Sequence, residues 1–306
     1  MNADYCYLLP KLRFIATEEI AKILRETKAL SKKEICANNR WRYHQGKRSV
    51  PIKYLLDNKI ALDRVLEHNP YFVTHGGIYV KLPRKINKEL SYICGLICGD
   101  GNLFTSEKRD YWVSVHNKEQ ALLARAIEIL KNNFEYNAKI VNGHGCKKVE
   151  VKSEVIHSFF NIVMEIENGK KQNIRMPTCV KWNKEFVMEF IAGFFDAEGC
   201  VALKKNKITC QISFSQKQKE ILEEIQKELA EEGIETRLAR FKGSDAWILY
   251  GNRQSLAPFL QKIPIIHPKK KKKLETAVKN QAIYYNQKLS SDARKNPTTC
   301  LIPSTV

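Results

Sequence analysis

Apolar positions along the chain follow two periods, one helical and one alternating, and their order sets the expected architecture. In "ATEEIAKILRET" the residues Ile20, Ile23 and Leu24 fall at helical spacing. "SKKE", Ser31 to Glu34, is a capping-box pattern that predicts the start of a second helix. A basic and aromatic stretch, "NRWRYHQGKRSVP", precedes the amphipathic "IKYLLDNKIALDRVLEH". "YFVTHGGIYVKLP" then reads as two short strands around Gly76 and Gly77, a hairpin signal. Helices closed by a hairpin predict a winged-helix-like module over residues 1–87.

Beyond "KLPRKINKEL", which reads as a linker, the pattern repeats itself. "ICGLICGDG" aligns with "IAGFFDAEG", "WVSVHNKEQALLARAIEIL" with "QISFSQKQKEILEEIQKEL", and "VEVKSEVIHSFF" with "ILYGNRQSLAPFL". Asp100 and Glu198 close the first pair of segments, 98 positions apart. A period that long is no solenoid unit, so it implies two similar halves, 88–185 and 186–288. Each half reads helix, two strands, helix, two strands, helix, which makes the expected class α+β. In "ITCQISFS" Ile208, Cys210, Ile212 and Phe214 point one way, while Thr209, Gln211, Ser213 and Ser215 point the other. The first half places Val113 and Val115 inward, with Trp112, Ser114 and His116 outward. Such alternation predicts antiparallel sheets with one wet face. The segment 289–306 has no periodicity and is expected to be a loosely ordered tail.

Composition narrows the partners. The 306 residues are 43% hydrophobic and 28% charged, with a net charge of +19. That excess favours a polyanion, because each phosphate neutralised by Lys or Arg releases counterions. The candidate contacts are Arg40, Arg42 and Arg48 in the basic-aromatic stretch, Trp112 and Ser114 on the first sheet, and Thr209, Gln211 and Ser213 on the second. Lys204, Arg240 and Lys242 lie close to the second set. No apolar run approaches the ~20 residues of a membrane span, so no membrane is expected. The N-terminal "MNADYCYLLPKLRF" lacks the plan of a signal peptide. Nine cysteines without a CxxC pair predict a reduced, intracellular and cytoplasmic protein without disulfides or structural zinc.

Both repeated helices end on acids, Asp100 in one and Asp196 with Glu198 in the other. A helix C-terminus is itself partly negative, so carboxylates there call for a compensating cation. Small residues at Gly95 and Gly99, and at Ala192, Gly193 and Ala197, would let two helix backbones approach closely. Packed side by side, the helices would bring Asp100 and Glu198 together. Paired carboxylates recruit a metal, and hard oxygen donors that leave room for waters and phosphates suit Mg²⁺.

The two runs resemble the paired motifs of the LAGLIDADG homing endonucleases in their single-chain form, over roughly residues 88–288. The resemblance implies two pseudo-symmetric αββαββα halves with motif helices at their interface and two saddle-shaped antiparallel sheets straddling duplex DNA. It implies sequence-specific cleavage of both strands of a long asymmetric double-stranded DNA target, as in intron homing, with Mg²⁺ or Mn²⁺ as cofactor. By the same resemblance Asp100 and Glu198 are the metal-binding acids. Asp196 keeps a frequent family acid, and Cys98 replaces it in the first copy. Asn117 and Gln216 would position water, with Lys118 and Lys217 following them towards DNA. Lys171, beside Lys170, and Lys271, within the run Lys269 to Lys273, would polarise the scissile phosphate or activate water. With two motif copies in one chain, a monomer is expected. Two rivals share the fold, a non-catalytic DNA-binding regulator and a maturase that acts on intron RNA. An intein is disfavoured, since the chain starts at Met1 and ends in "PSTV" without a splicing His-Asn pair.

Overall fold

The computed structural model describes residues 9, 11–31, 35–74, 77–108, 110–143, 145–205, 210–241 and 243–295, the last eleven as backbone alone. The capping-box positions 32–34, the turn residue Gly76, Thr209, Lys242 and the segment 296–306 lie outside them. The chain forms two compact units, Met1–Glu198 and Gly199–Val306.

The N-terminal part of the first unit contains the helices α1 (Glu18–Glu26), α2 (Ala37–His44) and α3 (Lys59–Glu67). Thr17 caps α1 by accepting from the Ile20 amide, and Asn58 caps α3 by accepting from that of Ala61 at 3.0 Å. The buried stripe of α1 is Ile20, Ala21, Ile23 and Leu24, the helical face legible in the sequence. Strands β1 (Arg13–Phe14), β2 (Val50–Pro51), β3 (Phe72–Val73) and β4 (Tyr79–Val80) form an antiparallel sheet in the order β2-β1-β3-β4. The hairpin β3–β4 is present, with Phe72 opposite Val80.

The remainder of this unit is α4 (Lys88–Asp100), β5 (Gly101–Thr105), β6 (Tyr111–Asn117), α5 (Gln120–Phe134), β7 (Lys139–Asn142), β8 (Lys147–Lys152), α6 (Glu154–Ser158), a π-helical turn (Phe159–Val163), α7 (Thr178–Lys181) and α8 (Lys184–Glu198). The sheet order is β5-β6-β8-β7, all antiparallel. Leu103, Val113, Val115, Val149 and Val151 form its buried face. The N-terminal module is pinned to α5 by three contacts. Lys81 donates its amide to Phe134 O at 3.0 Å, its ammonium lies 3.2 Å from Glu135, and the Tyr71 hydroxyl donates to the same carboxylate.

The second unit carries β9 (Gly199–Leu203), β10 (Cys210–Gln216), α9 (Lys219–Glu231), β11 (Thr236–Arg240), β12 (Trp247–Gly251), α10 (Leu256–Lys262) and α11 (Pro268–Lys295). Its sheet runs β9-β10-β12-β11, the same order as in the first half. Ile212, Phe214 and Leu249 on the sheet, Ile221, Leu222, Ile225 and Leu229 on α9, and Phe259 on α10 are buried. Helix α11 continues to Lys295, past residue 288, where the sequence ceased to show periodicity. A hydrophobic pattern does not mark its C-terminal turns, so the helix was invisible to that signal.

Candidate active site

Helices α4 and α8 pack in parallel through glycine. A methyl group at Gly95 would sit 2.1 Å from Phe190 O and 2.8 Å from Phe194 N, and one at Gly193 would sit 2.0 Å from Tyr92 O and 2.9 Å from Leu96 N. Every residue in the first pair of contacts is matched 98 positions away in the second. The seam is therefore a local pseudo-twofold in which only glycine fits. One turn further on, a methyl at Gly99 would meet Ala197 Cβ at 2.4 Å and Glu198 Cγ at 3.1 Å. Close approach thus persists to the C-termini and sets Glu198 beside the helix end that carries Asp100.

Three side chains organise this end. Asn117, the last residue of β6, donates its Nδ2 to Asp100 Oδ2 at 2.6 Å, while its own Oδ1 accepts from the Glu119 amide at 2.8 Å. Lys171 donates Nζ to the carbonyls of Ile97, Cys98 and Gly99 at 2.9, 2.7 and 2.9 Å. Burial pulls its ammonium below the ordinary value, and the neighbouring Cys98, Glu198 and Asp100 oppose that shift. The third is His116, whose Nε2 lies 3.0 Å from Ser114 Oγ, which is in turn bonded to Asn102 Oδ1. Burial and Lys148 hold His116 below its usual value, against Glu150 and Asp100. Below the acids, Tyr92 donates its hydroxyl to the buried Asp196 at 2.8 Å.

The donor set fits a divalent ion. Asp100 and Glu198 offer hard carboxylate oxygens, and among the described residues no group of three His, Cys, Asp or Glu makes an all-protein cage. Two carboxylates with open positions are what Mg²⁺ takes when phosphates and waters complete its shell.

Other expected site residues are distributed as follows. Gln216 ends β10, across from Trp247, and its Oε1 accepts from the Lys217 amide at 2.8 Å. Lys271 is exposed in the first turn of α11, next to the half-buried Lys270. Lys118, Lys204, Gln211, Lys217 and Arg240 are exposed on or beside the sheets, Arg240 with Asp245 at 3.7 Å. Trp112 is half-buried beneath Lys152, whose Nζ is 5.1 Å from the ring. Ser114 and Ser213 face the wet side yet are only 7% and 9% exposed, because they sit on central strands flanked by larger side chains. Arg40 turns inward and donates to Ile35 O at 3.1 Å. Arg42 and Arg48 stay exposed, Arg48 on Asn39 Oδ1, beside Trp41 with Lys47 stacked 4.6 Å from its ring. Two features escaped sequence reasoning, the Tyr92–Asp196 bond and the Asn102–Ser114–His116 chain. Both depend on non-local pairing, although Asp196 on an otherwise apolar helix face did require a buried donor.

Two family models match the chain, the WhiA LAGLIDADG-like domain over residues 89–175 and the LAGLIDADG-like domain over 185–264. Together they span more than half of it, one on each motif helix and its sheet. The chain belongs to the LAGLIDADG family. This LAGLIDADG chain is 25% identical over 251 residues to a reverse gyrase of Methanocaldococcus jannaschii, covering 80% of the chain and 14% of that protein. It is 33% identical over 136 residues to a probable translation initiation factor IF-2 of the same organism, covering 42% of the chain and 11% of the relative. With a glutamine–fructose-6-phosphate aminotransferase, again of Methanocaldococcus jannaschii, the identity is 26% over 204 residues, 64% of the chain and 18% of the relative. The LAGLIDADG chain thus spans less than a fifth of each. Among solved structures it is similar to I-DmoI in complex with DNA and Mn (19% identity, TM-score 0.46, 57% of this chain and 96% of that one). It is also similar to the N-terminal LAGLIDADG domain of WhiA (15%, TM-score 0.41, 58% and 81%). No described helix is long and apolar enough to cross a membrane.

Proposed function

We propose that this LAGLIDADG chain is a divalent-metal-dependent endonuclease that hydrolyses both strands of a long, asymmetric double-stranded DNA target. The observation that carries the reading is the glycine seam of α4 and α8, which brings Glu198 against Gly99, the residue before Asp100, where both helices end. A Mg²⁺ or Mn²⁺ ion held by these acids would supply Lewis-acid polarisation of a phosphodiester and stabilise charge on the leaving 3′-oxygen. Asn117 keeps Asp100 in one orientation, which limits the reorganisation needed when DNA arrives. Exposed Lys118, Lys217 and Lys271 add positive charge where a phosphate would gain negative charge. The wet sheet faces would read base edges in the major groove, and Trp41, Arg42, Lys47 and Arg48 would extend the footprint through phosphate and sugar contacts. The curated relatives support a mobile element. Proteins with unrelated names share a similar segment as a minor part of their length, as expected of an element that travels independently of their activities.

The match of residues 89–175 to the WhiA variant of the domain favours a second reading, a regulator that binds DNA without cutting. One experiment separates them. Purified chain is incubated with a randomised duplex library and Mg²⁺ or Mn²⁺, alongside Asp100→Asn, Glu198→Gln and Asn117→Ala. Discrete double-strand products from the wild type, none from the acid variants, and a rate reduced about 10- to 100-fold in Asn117→Ala are expected. Selective binding without cleavage by any of them would establish the regulator.

A further inference from the structure

The family resemblance casts Lys171 as a group acting on the scissile phosphate, but its position says otherwise. An ammonium has three N–H donors, and the carbonyls of Ile97, Cys98 and Gly99 take them at 2.9, 2.7 and 2.9 Å. These are carbonyls of the last turn of α4, which intrahelical bonding leaves short of donors. The Gly101 amide also donates to Ile97 O, so the final turn is closed from both sides before Asp100 turns into β5. The charge is placed where the helix dipole is most negative and where two carboxylates add to it.

We infer that Lys171 is a positioning residue, a cationic cap that holds the last turn of α4 and thereby fixes Asp100 against Glu198, and that it does not touch the substrate. The inference rests on the endonuclease reading for its kinetic consequence, while its structural consequence stands without DNA. Lysine suits the task because its compact tripod meets three convergent carbonyls, whereas the guanidinium of arginine spreads its donors in one plane. Asn117 constrains Asp100 from the sheet side, so the carboxylate is held from two elements that are distant in sequence.

The test is hydrogen exchange on full-length, DNA-free wild type, Lys171→Met and Lys171→Arg, paired with single-turnover cleavage and with DNA affinity measured in Ca²⁺. In Lys171→Met, amides from 97 to 103 should exchange about 10- to 30-fold faster, the range expected when a partly buried cation leaves a helix C-terminus. Those of α5 and of the N-terminal part of α8 should be unchanged. Cleavage should slow while DNA affinity holds, and Lys171→Arg should recover part of both the protection and the rate. Unchanged exchange with lost cleavage would overturn the inference in favour of direct action on the phosphate. Unchanged exchange with unchanged cleavage would overturn it as well, as would a uniform rise across the unit. Should the wild type cut no DNA, the endonuclease reading fails, while the exchange result still decides the role of Lys171.

Discussion

The bond between Tyr92 and Asp196 lies in the α4–α8 seam with both side chains buried, and Tyr92→Phe removes one hydroxyl while keeping the ring. A hydrogen bond to a charged group contributes about 1.5–3 kcal/mol net. In a unit of this size, Met1–Glu198, each kcal/mol moves the midpoint by roughly 2–4 °C, so a loss of roughly 3–12 °C is expected. The pair is also asymmetric. The same 98-residue offset relates Tyr92 to Phe190 and Asp196 to Cys98, so the matching positions hold an apolar pair. Asp196→Cys alone leaves the phenol without its acceptor, whereas Tyr92→Phe with Asp196→Cys copies the other side of the pseudo-twofold. The double variant should therefore cost less than the sum of the singles, by about 1–2 kcal/mol. Burial, reinforced by the charge of Asp196, pushes the Tyr92 phenol above its ordinary value of 10.0. Its contribution is full below pH 10 and lost as pH rises beyond it, at up to about 1.4 kcal/mol per pH unit. Thermal unfolding at pH 8 measures the midpoint shift, and urea unfolding of the four proteins at pH 8 and pH 10.5 measures the coupling and the alkaline slope. Additive costs in the double variant, or an alkaline slope that Tyr92→Phe leaves intact, would refute the reasoning.

Two further outcomes are expected. Gly95→Ala and Gly193→Ala place a methyl about 2 Å from a facing backbone oxygen, so each should cost about 3 kcal/mol or more and lower soluble yield, whereas Gly169→Ala, with open space around it but a φ of +86°, should cost only the backbone strain of about 1–2 kcal/mol. Burial holds His157 below its ordinary value of 6.5, against a hydrogen bond with Asn168. The stability it confers is full above that value and declines as pH falls towards the folded value; His157→Gln should flatten urea midpoints measured between pH 5 and 7.5.

The helices and sheets of both halves were legible because period and alternation are local properties. Ile212 and Phe214 turned inward as the alternation required, and the spacing of Gly95, Gly99 and Gly193 gave the close seam. Strands of two residues, such as Arg13–Phe14 and Val50–Pro51, carry no alternation and are fixed by partners far along the chain. Lys170 and Lys171 are equivalent as text, and only folding decides which one reaches the end of α4. Ser114 faces the expected side of its strand, yet pairing with β5 and β8 buries its hydroxyl against Asn102 and His116. Arg40 and Arg42 differ in the same way, since a half turn of helix separates a guanidinium folded onto Ile35 from one left in solvent.

The clamp of Tyr71 and Lys81 on Glu135 joins the N-terminal module to the end of α5, and on the endonuclease reading that would make it a ruler rather than a tethered arm. A flexible linker would let that module slide to wherever its preferred phosphates lie. On the proposed reading, a module fixed to α5 would meet the duplex at one distance and one angular phase from Asp100. Duplex DNA turns once in about 10–10.5 base pairs, so inserting about five between the two contact regions would carry the outer one to the opposite side of the helix. Inserting a whole turn would restore its facing but not its distance. On the endonuclease reading, the target therefore has a fixed length as well as a fixed sequence, and spacing itself becomes part of what the protein recognises.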